Sequence, residues 1–186
     1  VMFSGGKDSL ATLILVKEYH EEHGLGPVQI AFRHEEVINP SVLEFVEQFR
    51  HMDWCELYWF CLPMGNSKFV LGQKERYTEW DPDREWVGQM PEWAITGDEL
   101  GMGRGKFDQN SVDDWIADYI HPHGKVAFFT GVRAAESLVR FRSVTQKLNQ
   151  NFINAIEGNT RSRVKLVKPV YDWEQADVLK FILESE

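Results

Sequence analysis

Apolar positions along the chain switch repeatedly between strand and helix spacing. Val1-Met2-Phe3 is a short apolar stretch, and Leu10, Leu13, Ile14 and Val16 then mark one side of a helix running from Leu10 to Tyr19. Gly24 ends that pattern, and Val28, Ile30 and Phe32 alternate as a strand. Asn39-Pro40 is a helix start, with Asn as the cap and Pro in the first turn. Val42, Leu43, Phe45, Val46 and Phe49 line its apolar face, and residues 54–61 read as another strand. The first third is therefore β-α-β-α-β, which predicts parallel strands covered by helices.

Residues 63–110 interrupt this rhythm. Trp80, Trp86 and Trp93 lie among Pro63, Pro82, Pro91 and several glycines, and Gly101 to Lys106 form a basic, glycine-rich loop. The segment reads as an insertion over the sheet, its aromatics either stacking on a ligand or forming a satellite core. Ser111 is expected to open a helix with Val112, Trp115, Ile116, Tyr119 and Ile120 facing inward. Val126 to Thr130 reads as a buried strand, Ala135 to Gln150 as a helix, and Val164 to Val167 as the last strand. Asp172 and Gln175 resemble a capping box for a final helix carrying Val178, Leu179, Phe181 and Ile182. The predicted fold is α/β: a doubly wound, mostly parallel sheet of about five strands with helices on both faces. It forms one domain over 1–186, with a tryptophan-rich insertion at about 63–123.

Composition narrows the classes of function. The chain has 186 residues, is 43% hydrophobic and carries a net charge of −9. That charge disfavours indiscriminate binding to nucleic acid or an anionic membrane. No apolar run reaches the roughly 18 residues of a membrane span, and no signal-peptide pattern occurs, so no membrane association is expected. Cys55 and Cys61 share one face of one strand, where six residues span about 20 Å, too far for a disulfide. Buried free thiols and a reducing, cytoplasmic compartment are expected. His121-Pro122-His123 offers two ligands without an obvious third, so no metal site is assigned there.

The chemistry concentrates in Ser4-Gly5-Gly6-Lys7-Asp8-Ser9, between the first strand and the first helix. Two glycines let the backbone approach a ligand, and successive N–H groups at a helix N-terminus form an anion nest. Lys7 supplies a point charge for a terminal phosphate, Ser4 and Ser9 offer hydroxyls, and Asp8 is the candidate Mg²⁺ ligand. The spacing is not that of a Walker A loop, which has four residues between its first glycine and the Gly-Lys pair. A second cluster, Gly131-Val132-Arg133 with Glu136, Ser137 and Arg140, also follows a strand. In a doubly wound sheet it shares the carboxyl-end rim with the first loop. Arg133 there suits a phosphate or sulfonate, and Glu136 suits anchoring Arg133 or a metal. Arg140 lies one helical turn beyond Glu136, where an ordinary surface ion pair is the alternative.

These segments resemble the PP-loop superfamily, the adenine nucleotide alpha hydrolase-like proteins, and within it the phosphoadenosine phosphosulfate (PAPS) reductase-like family. Ser4–Ser9 matches SGGKDS in full. Gly131 to Arg140 looks like G-[LIV]-R-x-x-[EQ]-S-x-x-R, and Lys168-Pro169-Val170-Tyr171-Asp172-Trp173 looks like K-P-[IV]-x-D-W. The tryptophan-rich insertion looks most like an uncharacterised branch. The resemblance implies that the PP-loop and the arginine motif bind an adenine nucleotide's phosphates or sulfonate. It implies adenine contacts from Phe32-Arg33-His34-Glu35, with His34 as the candidate, although the family often has an aspartate there. It also implies a homodimer as the common assembly.

The reaction is less determined. A sulfonucleotide reductase of this family carries a nucleophilic cysteine in a C-terminal tail, and no such tail occurs in this sequence. Two cysteines on one strand cannot supply the four ligands of an iron–sulfur cluster, so none is expected. Cleavage of ATP between the α- and β-phosphates needs no cysteine. The leading expectation is an adenylyltransferase-like transferase using ATP and Mg²⁺ on an unknown acceptor, with Lys7, Asp8 and Arg133 as catalytic residues. A PAPS reductase or sulfotransferase-like enzyme is the first alternative. The second is a non-catalytic nucleotide sensor that meets a protein or nucleic-acid partner through Arg104, Lys106, Arg161, Arg163, Lys165 and Lys168.

Overall fold

The computed structural model describes residues 1–70, 73–104, 107–137, 141, 153–155 and 163–185. Helix α1 spans Lys7–Glu22, and strand β1 (Val28–Arg33) follows after the turn at Gly24, which holds φ +62°. Helix α2 (Pro40–Glu47) starts as predicted: Asn39 Oδ1 accepts the Ser41 N–H at 3.0 Å, and Pro40 occupies the first turn. Strand β2 (Cys55–Cys61) runs parallel to β1 with Val28 opposite Cys55, and β5 (Ile95–Thr96) runs parallel to β2. Cys55 and Cys61 are both free thiols.

A second sheet contains β6 (Val126–Phe129), β8 (Val164–Val167) and β7 (Ile153–Ala155). β6 and β8 are parallel, whereas β7 is antiparallel to β8 and was not anticipated. The segment Val1-Met2-Phe3 lies between the two sheets. Phe3 N–H donates to the Ala31 carbonyl at 2.9 Å, and Met2 N–H donates to the Phe129 carbonyl at 2.9 Å. Met2 thus bridges in parallel to Ala31 of β1 and to Thr130, the residue after β6. The molecule is mixed α/β with parallel pairing in both sheets.

Two apolar clusters cover opposite sides of β1 and β2. Phe3, Ile30, Phe32 and Trp59 pack with Leu13 of α1 and Val46 of α2. Ala31, Phe60, Phe128 and Val164 pack with Val112 and Ile116 of helix α3 (Gln109–Ile120) on the other side. Helix α4 (Gln175–Glu184) buries Val178 against Ala11 and Val170. Each fully buried aliphatic or aromatic side chain contributes about 1.5–3 kcal/mol, so these clusters dominate the stability.

Several boundaries differ from the sequence reading. α1 begins at Lys7, so Lys7, Asp8 and Ser9 form its first turn. α3 is capped by Asp108, which accepts the Ser111 N–H at 2.8 Å; Ser111 is therefore inside the helix. Tyr119 is exposed, in T-shaped contact with Tyr58 and Phe60. Along β6 only Phe128 is buried, because α3 covers its face while Ala127 points the other way and is exposed. α4 starts two residues later than Asp172 implied, with the Glu174 N–H donating to Asp177 Oδ2 at 2.8 Å. The insertion contains an antiparallel hairpin, β3 (Met64–Val70) with β4 (Gln73–Glu79). The helix expected over Ala135–Gln150 falls largely outside the described residues; within them, residues 134–136 form a 3-10 turn.

The α3 face also buries a carboxylate. Asp113 meets the guanidinium of Arg33 at 3.2 Å. Burial pushes its carboxyl up to about 6, opposed by Arg33 and reinforced by Asp114. A carboxyl raised in the folded state contributes stability that is complete below its unfolded pKa and lost as pH rises through about 6. The expected result is a loss of about 2–3 kcal/mol between about pH 4 and pH 7 relative to Asp113→Asn. Urea unfolding of both proteins across that range checks it, and parallel curves would show that Asp113 is not destabilised by burial.

Candidate nucleotide site

The Ser4–Ser9 loop is built around a left-handed glycine. Gly5 has φ +74°, and a Cβ there would lie 2.6 Å from Val42 Cγ1 of α2. Only glycine satisfies both the torsion and the contact. Gly6 is extended and caps α1 with no side-chain hydrogen bond. The helix N-terminus therefore keeps the uncapped N–H groups and partial positive charge that favour an anion.

The two serines hold the loop rather than project from it. Ser9 Oγ donates to the Gly6 carbonyl at 2.8 Å and accepts the Ser4 N–H at 3.2 Å. Its one proton is thereby used, so the 3.0 Å contact with Ser4 Oγ has Ser4 as donor. Ser4 Oγ in turn accepts the Gly6 N–H at 3.4 Å.

Asp8 stands between two cations. Lys7 Nζ lies 3.1 Å from Oδ2, and Arg133 Nε lies 2.9 Å from Oδ1. Asp8 and Arg133 are largely buried, with side chains 14% and 5% exposed, while Lys7 is 37% exposed. Arg133 also donates from Nη1 to the Trp173 carbonyl at 3.3 Å. Its guanidinium is thus engaged with Asp8 and the backbone, where sequence reasoning had it gripping a ligand phosphate. Two cations on one carboxylate leave the site locally positive, with Lys7 as the accessible charge.

The three predicted segments meet here. Gly131 lies so close to α1 that a Cβ would sit 2.5 Å from Asp8 C and Ser9 N. Ala134 N–H donates to the Tyr171 carbonyl at 2.7 Å, joining the arginine segment to Lys168–Trp173. Glu136 is exposed, and its Oε2 lies 3.5 Å from the backbone nitrogen of Arg133. Arg140 lies outside the described residues.

His34 follows the end of β1, and its ring contacts run to β1, β2 and the insertion. Its ring is buried, with centroids 5.3 Å from Trp59 and 4.9 Å from Trp80. Trp59 Nε1 donates to His34 Nδ1 at 3.1 Å, so the neutral tautomer carries its proton on Nε2. Burial lowers its pKa to about 4. The insertion encloses the residue expected to face an adenine. Glu36, two residues on, is fully buried and was not singled out in the sequence. It accepts N–H groups from Trp80 at 2.9 Å and Val87 at 2.8 Å and pairs with Arg84. These charge-assisted bonds hold its carboxyl below its ordinary range against the opposing effect of burial, and they clamp the insertion to the end of β1.

The cysteines are not activated. Cys61 is buried with its thiol pushed up to about 12, and Cys55 up to about 11, in both cases by desolvation. The basic residues proposed as a contact surface are also largely engaged. Arg163 pairs with Asp118, Arg104 pairs with Asp83, and Lys168 is buried. Lys106 and Arg161 lie outside the described residues. No group of three or more His, Cys, Asp or Glu suited to a metal occurs among the described residues, and no helix among them is long and apolar enough to cross a membrane.

No protein-family model matches the chain. The chain is 28% identical over 190 residues to an uncharacterised Escherichia coli (strain K12) protein, YbdN, covering 96% of this chain and 45% of that protein. It spans about half the length of the curated relative it matches, and that likeness carries no assigned activity.

Proposed function

We propose that the chain is a PP-loop adenine-nucleotide enzyme that cleaves ATP between the α- and β-phosphates and transfers the adenylyl group to an acceptor oxygen. The observation that carries this is the 2.9 Å contact between Arg133 Nε and Asp8 Oδ1, which unites two phosphate-type segments 125 residues apart. The parallel bridges of Met2 to Ala31 and Thr130 support reading the two sheets as halves of one doubly wound sheet. The Ser4–Ser9 loop then sits at the switch point, where ligands of such folds bind.

Asp8 fits a Mg²⁺ role, since that ion is commonly held by one or two carboxylates together with substrate phosphates. Lys7 is exposed enough to leave Asp8 Oδ2 for a phosphate, exposing that oxygen, while Arg133 keeps the carboxylate in place. Bound there, Mg²⁺ would neutralise phosphate charge. The acceptor oxygen attacks the α-phosphorus, the bond to the bridging oxygen breaks, pyrophosphate leaves, and the acceptor's proton passes to solvent. The N–H groups around Gly5 and Gly6, with Lys7, hold the pyrophosphate and stabilise its developing charge. The high thiol pKa values of Cys61 and Cys55 favour this route over sulfonucleotide reduction.

The test is incubation with ATP and Mg²⁺ across candidate acceptors. Pyrophosphate release with label from the α-phosphate on the acceptor is expected. Release of orthophosphate alone, or tighter binding of PAPS than ATP with no pyrophosphate formed, would overturn the reading.

A further inference from the structure

The insertion encloses a cavity of about 530 Å³, within the usual size of small-molecule sites. It opens beyond the carboxyl ends of β2 and β5, at Pro63 and Thr96–Asp98. Buried Trp80 and Met102 are among its lining residues, as is the more exposed Trp86. Trp80 holds φ +49°, a backbone setting costly for so bulky a residue. Its N–H to Glu36 and its indole N–H to the His34 carbonyl keep it there. Strain maintained in this way is characteristic of ligand sites.

The lining is rich in acceptors and poor in donors. The Trp80 indole N–H is engaged by His34, and the Trp86 indole N–H donates to the Asp81 carbonyl at 2.8 Å. Both indoles therefore offer ring surface without a free donor. Asp81, Asp83 and Asp98 line the cavity against one described cation, Arg104, which is paired with Asp83. Asp98 has no side-chain partner among the described residues. An anion would meet three carboxylates against one cation that is already paired. A cation would meet carboxylates and aromatic faces together.

We propose that this cavity binds an organic ammonium carried on an apolar, ring-sized body. The body lies against Trp80 and Met102, and the ammonium group is held between Trp86 and the carboxylates. The binding needs no nucleotide and stands independently of the proposed reaction.

Titration of the nucleotide-free chain with benzyltrimethylammonium, benzyl alcohol and benzenesulfonate, read by calorimetry and tryptophan fluorescence, tests the proposal. Saturable binding of the ammonium at least about tenfold tighter than the alcohol is expected, with none for the sulfonate. Asp98→Asn should weaken the ammonium and leave the alcohol unchanged, whereas Arg104→Gln should tighten the ammonium by releasing Asp83. Both replaced side chains are exposed, so the fold is retained, and circular dichroism checks this. Equal binding of ammonium and alcohol, preference for the sulfonate, or indifference to both variants would overturn the proposal.

Discussion

Replacing Gly131 by alanine is expected to destabilise the chain by about 2–3 kcal/mol, the cost of overpacking a site that cannot yield freely. The added Cβ would lie 2.5 Å from both Asp8 C and Ser9 N and 2.6 Å from Asp8 O. These are backbone atoms of the first turn of α1, so no side-chain rotation relieves the clash. The end of β6 and the start of α1 must separate, and that movement also stretches the Arg133–Asp8 pair. For a chain of this length each kcal/mol is worth about 2–4 °C, so the melting temperature should fall by roughly 5–10 °C. Gly24→Asn provides the contrast, because nothing lies within 4 Å of its Cβ position and asparagine tolerates positive φ. Thermal unfolding of the two variants decides the matter. Equal melting temperatures would show that the strand end moves freely and that the two segments are not joined.

The parts of this architecture legible in the sequence are those whose cause is local. Val28, Ile30 and Phe32 alternate because one face of β1 packs on α1 and α2, and Asn39-Pro40 marks a helix start through its own cap. Ser4–Ser9 and Gly131–Arg133 stand out because glycine beside a fixed charge after a strand has few purely structural uses. The hairpin of β3 and β4 was not legible because stretches such as Gly65-Asn66-Ser67-Lys68 and Gln73-Lys74-Glu75-Arg76 lack apolar alternation, the usual strand signal. The helical identity of Lys7–Ser9 was masked in the same way, by polar residues that serve the loop. Glu36 was hidden for a different reason. A carboxylate is assigned to the surface by default, and Trp80, Arg84 and Val87, which make its burial tolerable, lie 44 to 51 residues away. The enclosure of His34 follows from the same distant contacts. Arg133 stands out in the sequence, but its residue type does not reveal whether it meets a ligand or another side chain.

That distinction is measurable. Arg133→Ala is expected to cost about 3 kcal/mol, at the low end for breaking a buried pair, because Lys7 still faces Asp8. Asp8→Asn should cost a similar amount by leaving a guanidinium that is 5% exposed without a countercharge. The double variant should be more stable than the sum of the two losses implies by about 1–2 kcal/mol, since neither charge is then buried alone. Pyrophosphate release follows a separate logic. If Arg133 works by holding Asp8, each single variant loses roughly 100-fold and the double loses no more, because removing either member disables the same unit. If Arg133 contacts the phosphates directly, the two losses multiply. Multiplicative losses in turnover together with non-additive losses in stability would separate the structural pair from the catalytic one, and would return Arg133 to the phosphate-binding role first read from the sequence.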